Sequence, residues 1–337
     1  MYQLIRPILF SLDPERAHFL SLIILKLAHH LGLTRFFSNK TANPCHLFGL
    51  DFPNPIGLAA GIDKDADYID ALASLGFGFI EIGTVTPLPQ PGNPKPRLFR
   101  LTTHDALINR MGFPSKGMEY VAQRLEKMQY KGIIGINIVK NRETPNERAS
   151  DDYVALFRRL WPYASYFAIN ISSPNTPGLR LLHQSDLLNQ LLSALKNEQQ
   201  QLLQMQKKYV PLIVKISPDL TDTELAELAT VLLQHRIDGV IVANTSLRRD
   251  KVASSIHANE PGGLSGKPLD AQTSHSIAEL HAILQDKIPI IASGGIMDAK
   301  SANEKLEAGA RLLQTYTGFV YNGPGFIKEL CKAYSKM

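Results

Sequence analysis

The chain has 337 residues, enough for one large α/β domain or two small ones. Its 44% hydrophobic and 20% charged residues are ordinary for a globular protein, and a net charge of +5 spread over scattered Lys and Arg does not demand nucleic acid. The only cysteines, Cys45 and Cys331, show no C-x-x-C or His/Cys spacing, which argues against both a disulfide framework and a zinc site and fits a reducing cytosol.

Asp13 followed by Pro14 reads as a helix N-cap with proline at the first helical position. The helix this opens is expected over residues 15–31. It carries Phe19, Leu20, Leu22, Ile23, Ile24, Leu25, Leu27 and Leu31, apolar around more than half its circumference. Lys26 interrupts it, and the run falls short of the roughly 18 to 20 apolar residues that span a bilayer. No small-residue cleavage site follows, as a secretory signal requires, and residues 1–10 are too poor in Arg and Ser for a transit peptide. Residues 1–40 hold five Lys/Arg against two Asp/Glu, which suits an anionic membrane surface. Packing of the helix on the main domain is the other reading.

Eight short apolar runs follow, at 56–60, 79–82, 133–136, 167–169, 212–216, 239–243, 289–292 and 311–315, separated by amphipathic segments such as 187–207 and 224–235. Near-continuous apolar strands alternating with helices mean a parallel sheet covered on both faces. Eight such units in about 270 residues have the size of a (β/α)8 TIM barrel. A doubly wound sheet is the alternative, but no Gly-x-Gly-x-x-Gly follows the first strand. The Pro- and Gly-rich connection 87–117 is expected to fold over the barrel mouth. No boundary shows after about residue 50. The chain therefore divides into an N-terminal helical extension, 1–40, and a barrel, 41–337.

In such barrels the chemistry sits at the C-terminal ends of the strands. Those ends carry residues 60–64, Gly83 and Thr84, Asn137, residues 170–175, Lys215, Asn244 and Thr245, residues 293–295, and residues 316–318. A buried strand that runs into Asn170, Ser172, Ser173 and Asn175 has little packing reason to be so polar, although a Ser/Pro/Asn turn would also close a strand. The Gly294-Gly295 turn after the seventh run, with Thr317-Gly318 after the eighth, suits a phosphate held by bare backbone N–H groups. Asn109, Asn137, Asn170, Asn175 and Asn244 offer donors and acceptors without charge, and can hold a ring with several amide edges in one orientation. Each alone is more often a turn or cap residue. Lys64 and Lys215 add positive charge suited to a reduced flavin or a substrate carboxylate. Lys215 lies within an apolar run, where an unpaired charge is costly.

Residues 58–64, 81–87, 96–100, 108–113, 170–180 and 262–268 resemble the dihydroorotate dehydrogenase family, in the right order and over nearly the whole chain. Residues 12–18 resemble its class 2, quinone-dependent branch. The resemblance implies oxidation of (S)-dihydroorotate to orotate in pyrimidine biosynthesis, with FMN as cofactor and a membrane quinone, ubiquinone or menaquinone, as final acceptor. It implies FMN binding by Ala60, Gly61, Ile62, Asp63, Lys64, Thr84, Asn137, Asn170, Lys215, Ala243, Gly266, Gly295, Tyr316 and Thr317. Substrate binding falls to Lys64, Asn109, Arg110, Met111, Gly112, Phe113, Asn170, Asn175, Asn244 and Thr245. Ser173 matches the base that removes a proton from C5 while hydride leaves C6, and His18, Arg100 and Tyr316 match quinone contacts. No metal is implied. A monomeric peripheral protein on the cytoplasmic face of a bacterial inner membrane is expected.

Three positions depart from the commoner family pattern: Ala243 for Thr, Thr317 for Ser, and Val139 for Gly. A flavin contact at Ala243 must then come from backbone, and Thr317 keeps a hydroxyl. A soluble class 1-like enzyme using fumarate or NAD is opposed by Ser173, where that class carries cysteine, and by the apolar N-terminus. A flavin-free phosphate-binding lyase or isomerase would not need five amides at one mouth. A membrane adaptor would leave the strand ends unexplained.

Overall fold

Short Val/Ile/Leu-rich strands can bury both faces only if helices cover one side and the strands' own side chains fill the other. In the computed structural model, which describes residues 2–36, 43–176, 178–183 and 185–334, the chain does this by closing the sheet on itself. Helices α1 (Tyr2–Ser11) and α2 (Pro14–His30) lead into a hairpin, β1 (Cys45–Leu47) and β2 (Leu50–Phe52). After β3 (Ile56–Leu58), α3 (Ile69–Ala73) and β4 (Phe79–Val85), a second hairpin follows, β5 (Leu98–Leu101) and β6 (Ala106–Asn109). The chain continues through α4 (Met118–Glu126), β7 (Ile133–Ile138), α5 (Ala149–Leu160), β8 (Tyr166–Asn170), α6 (Ser185–Gln206), β9 (Leu212–Lys215), α7 (Asp222–Gln234) and β10 (Gly239–Val242). It ends with β11 (Gly263–Gly266), α8 (Asp270–Leu284), β12 (Ile290–Ser293), α9 (Ala299–Glu307), β13 (Ala310–Thr315), α10 (Thr317–Asn322) and α11 (Gly325–Tyr334).

Eight strands, β3, β4, β7, β8, β9, β10, β12 and β13, form the closed parallel barrel. They are the eight runs expected from the sequence. Large and small residues alternate inside: a Cβ on Gly57 would lie 2.2 Å from the Phe79 ring, and one on Gly135 2.1 Å from Tyr166. Phe79, Tyr166, Ile213, Ile241, Ile291 and Leu312 fill the lower barrel, and Phe52 of the first hairpin plugs its base.

The connection 87–117 is more ordered than its composition suggests. Its hairpin, β5 and β6, pairs with β11 from 150 residues downstream into a three-stranded antiparallel sheet at the mouth. Phe99, Ile108, Val252, Leu264 and Leu269 form a small core beneath it.

Helix α2 begins as expected, with the Asp13 carboxylate accepting from the Arg16 N–H at 2.9 Å. Only Ala17 and Leu22 of this helix are buried, whereas Phe19, Ile23, Ile24 and Leu27 are 45–60% exposed. Leu4 and Ile8 extend the apolar surface along α1. No helix among the described residues is long and apolar enough to cross a membrane. The packing reading of α2 holds along one edge, which meets α3 and β5, and the rest of the helix is an uncovered apolar face. The expected boundary at residue 40 lies outside the described residues, as does Pro177 of the 170–178 stretch.

Candidate active site

Two cavities meet at the C-terminal face of the barrel. The first is a cleft of about 150 Å³ lined by the ends of the barrel strands and by the mouth sheet. Ala60, Gly61, Lys64, Thr84, Asn109, Met111, Gly112, Phe113, Asn170, Ser173, Asn175, Lys215, Ala243, Asn244, Thr245, Gly266, Gly295, Tyr316 and Thr317 all line it. Four residues expected to bind FMN or substrate do not. Ile62 faces the second cavity. Asp63 turns back to accept the N–H groups of Asp67 and Tyr68, and burial pushes its carboxyl up to about 6. Asn137 lies beneath the cleft, bonded to Glu81 and Thr84. The Arg110 guanidinium pairs with Glu260 at 2.6 Å and covers the Phe99 ring.

Ser173 sits in the loop just beyond β8, 5% exposed, with its Oγ accepting the Asn175 N–H at 3.2 Å. The loop is held from behind. Arg180 donates to the carbonyls of Ser172 and Thr245 and pairs with Asp219 at 3.0 Å. Across the cleft, Asn175 donates to the Asn109 Oδ1 at 3.1 Å, joining the loop to β6. The Lys64 ammonium donates to the Gly61 carbonyl at 2.8 Å, and burial pushes its pKa down. Gly61 has φ +103°, and a Cβ there would lie 3.0 Å from the Tyr316 ring.

At one end of the cleft Ser265, Gly266, Gly294, Gly295, Thr317 and Gly318 present small side chains and backbone. Gly295 has φ +76°, and a Cβ there would stand 2.4 Å from the Asp270 Cα. Any other residue would push the turn away from α8. Thr317 and Ser265 share a hydroxyl–hydroxyl bond of 2.9 Å.

The floor holds residues that sequence reasoning assigned no role. Glu81 is fully buried and forms an ion pair with Lys215 at 3.6 Å. It also accepts from Asn137 at 2.8 Å, Tyr166 at 3.0 Å and Gln314 at 2.7 Å. The argument that made Lys215 suspicious, a charge inside an apolar run, applies equally to Glu81 between Ile80 and Ile82, and would have found the pair. Gln314 also lines the cleft, and its Oε1 is buried with no hydrogen-bond partner. Val139, just past β7, is buried and donates its N–H to the Val85 carbonyl.

The second cavity, of about 310 Å³, runs between α1, α2 and the barrel. Ile5, Leu9, Leu22, Leu25, Leu75, Phe319 and Val320 make it apolar, and His18, Arg100 and Tyr316 are among its few polar groups, with Tyr2, Ser21 and Thr34. Arg100 donates to the Phe10 carbonyl at 2.6 Å and the Leu12 carbonyl at 3.2 Å, with its guanidinium 4.6 Å from the Phe10 ring. Burial pushes the His18 imidazole down to about 3, with Lys64 pushing in the same direction. Tyr316 lines both cavities, and burial pushes its hydroxyl up to about 12.

Fold and site together define a (β/α)8-barrel enzyme with an amide-lined cleft and a separate apolar cavity. Comparison with known proteins narrows this. The family profile described as dihydroorotate dehydrogenase matches residues 44–337, and the chain belongs to that family. It is 52% identical over 335 residues to the dihydroorotate dehydrogenase (quinone) of Nitrosospira multiformis, covering 98% of this chain and 95% of that one. It is 53% identical to the enzyme of the same description from Idiomarina loihiensis, covering 98% and 99%. A crystal structure of the Eimeria tenella dihydroorotate dehydrogenase in complex with ferulenol superposes with a TM-score of 0.88 at 36% identity, covering 96% of this chain and 90% of that one.

Proposed function

We propose that this protein oxidises dihydroorotate to orotate and passes the electrons to a membrane quinone, with FMN as its flavin. The observation that carries this reading is Tyr316, whose side chain lines both an amide-lined cleft and an apolar cavity. A polar reductant and a lipid-soluble oxidant need such separate entries with a short path between them.

The residues present fit a flavin mononucleotide. The small residues at 265, 266, 294, 295 and 317 suit a phosphate. Lys215, Thr84, Asn170 and the unpaired Gln314 carbonyl oxygen suit the hydrogen-bonding edge of an isoalloxazine ring. Ala60, Gly61 and Ala243 would contribute chiefly backbone, and Ile62, Asp63 and Asn137 would act by shaping the wall. When bound, the flavin supplies the hydride acceptor and the electron path to quinone.

Ser173 is the proposed base for the C5 proton. A serine hydroxyl can act so only if its own proton leaves, past Thr176 toward solvent, as the substrate proton arrives. Asn109, Asn170, Asn175, Asn244 and Thr245 hold the substrate ring, with Lys64 for its carboxylate and Met111, Gly112 and Phe113 as cover. Arg110 supports that segment through its pair with Glu260. His18, Arg100 and Tyr316 meet the quinone head. Residues 1–40 act as one unit, docking the apolar face of α1 and α2 onto an anionic membrane at its cytoplasmic side, and residues 41–337 form a monomeric catalytic barrel.

The test is anaerobic. Purified protein should bleach its flavin absorbance with dihydroorotate and turn over with a short-tail quinone but not with fumarate, and the extracted flavin should be FMN. Turnover with fumarate, or extraction of FAD, would overturn the reading.

A further inference from the structure

Two loops that border the cleft meet behind it on one side chain. The Ser173 loop follows β8 and the Asn244–Thr245 loop follows β10, with β9 between them in the barrel. Arg180, in the turn Leu179–His183, donates through Nε to the Ser172 carbonyl at 3.3 Å and through Nη2 to the Thr245 carbonyl at 3.0 Å. Its Nη1 pairs at 3.0 Å with Asp219, in the loop after β9. The guanidinium therefore ties the loops of three neighbouring strands together. Its planar fork fixes the angle between the two carbonyls as well as their separation, which the point charge of a lysine does not.

The two carbonyls are not held alike. The Thr245 segment keeps a second anchor, because Asp219 also accepts the Leu247 N–H at 2.8 Å and the Ser246 hydroxyl. The Ser172 carbonyl belongs to the peptide that joins Ser172 to Ser173. That unit is planar, so the direction of its C=O sets the direction in which the chain enters Ser173. The other bonds of this loop act elsewhere. The Asn170 Oδ1 accepts the Ser172 N–H at 3.3 Å, one peptide earlier; the Ser172 Oγ accepts from Asn244 at 2.9 Å; the Ser173 Oγ accepts the Asn175 N–H at 3.2 Å. They orient side chains and the preceding peptide, and leave the plane of the 172–173 peptide to Arg180.

We propose that Arg180 is a positioning residue: by holding the Ser172 carbonyl against the frame of Thr245 and Asp219, it sets where the Ser173 hydroxyl stands relative to a substrate ring held by Asn244 and Thr245. The inference rests on the reading of Ser173 as the base. Arg180 does not line the cleft itself and acts through the backbone of Ser172.

The test uses Arg180→Lys, which keeps a positive charge opposite Asp219 but loses the fork. Anaerobic flavin bleaching by dihydroorotate should slow about a hundredfold, the order that a misplacement of about 1 Å costs. Orotate affinity, read from the flavin absorbance of the oxidised holoenzyme, should change by no more than a few-fold, because the Asn244–Thr245 loop keeps its bonds to Asp219. The decisive readout is a double-mutant cycle with Ser173→Ala. Where no base remains to be placed, Arg180→Lys should slow bleaching by no more than a further few-fold. A merely structural role would give the same loss with and without Ser173, and would loosen orotate in step. Arg180→Gln should repeat the pattern and serves if Arg180→Lys does not fold. Equal losses in both backgrounds, or bleaching by the single variants within a few-fold of wild type, would overturn the proposal alone. Bleaching by Ser173→Ala itself near the wild-type rate would instead overturn the functional reading, and the proposal with it.

Discussion

Besides the Lys26 bond to the Asp67 carbonyl, helix α2 is tied by an ion pair to the connection that enters β5, and removing that pair should loosen the helix over the apolar cavity. Glu15, in the first turn of α2, meets Arg97 at 2.8 Å and 3.2 Å, with Lys95 at 3.3 Å. The Arg97 side chain is 10% exposed and that of Glu15 21%. Burial alone would raise the Glu15 carboxyl, but the hydrogen bonds and charge of Arg97 and Lys95 outweigh it and hold it below the ordinary glutamate value. Removing one partner of a fully buried pair costs about 3–5 kcal/mol. Here Glu15 is partly wet and Arg97 keeps its bonds to the Pro91 and Asn93 carbonyls, so about 2 kcal/mol is the reasonable figure for Glu15→Gln. That corresponds to roughly a 30-fold shift toward the undocked helix. Hydrogen exchange should quicken by this order across residues 14–30 and change little in the barrel strands. Turnover with quinone should fall more than flavin reduction by dihydroorotate. Because the carboxylate is the stabilising form, wild-type docking should persist above the ordinary glutamate range and weaken as pH falls below it. Unchanged exchange in α2, or an equal loss in both half-reactions, would refute the argument.

Two further outcomes concern the tunnel. Arg100→Ala should raise the quinone concentration needed for half-maximal turnover while sparing flavin reduction, because Arg100 lines the tunnel and not the cleft; loss of flavin reduction would move it into the substrate site. His18 has a folded pKa of about 3 against an ordinary 6.5, so the unfolded chain binds the extra proton as pH falls from 6.5 toward 3, and stability is lost over that window. His18→Asn should therefore lose less melting temperature than wild type between pH 7 and pH 4; parallel curves would show that His18 is not buried neutral.

The barrel was legible because each of its strands is an apolar run buried on both faces, a signal that survives without knowing any partner. The start of α2 was legible for a local reason too, since Asp13 and Pro14 cap it from adjacent positions. The mouth sheet was not, because β5 and β6 complete themselves only against β11, far downstream, and the prolines before them read as an irregular loop. The hairpin that plugs the barrel base with Phe52 was missed for a similar reason: its strands are three residues each. Within the site, residues at strand ends stood out as polar breaks after apolar runs. Glu81 and Gln314 were passed over, although a charge between Ile80 and Ile82 is the same feature that marks Lys215; their partners lie one to four strands away around the barrel. The directions of Ile62 and Arg110 were likewise beyond the sequence, since neighbours in one segment point different ways, Ile62 into the apolar cavity and Arg110 to Glu260.

If Ser173 takes the C5 proton of dihydroorotate while the cleft amides hold the ring, losing its hydroxyl must slow flavin reduction without loosening orotate. Rapid-mixing measurement of anaerobic flavin bleaching by dihydroorotate in Ser173→Ala tests it most directly. The rate should fall by about two to four orders of magnitude, the usual effect of losing a positioned acid or base. Orotate affinity should stay near wild type, because Asn109, Asn170, Asn175 and Asn244 remain. Ser173→Cys should recover part of the rate, since a thiol ionises near pH 8.5 in the reference state. Bleaching by Ser173→Ala within a few-fold of wild type would contradict the account.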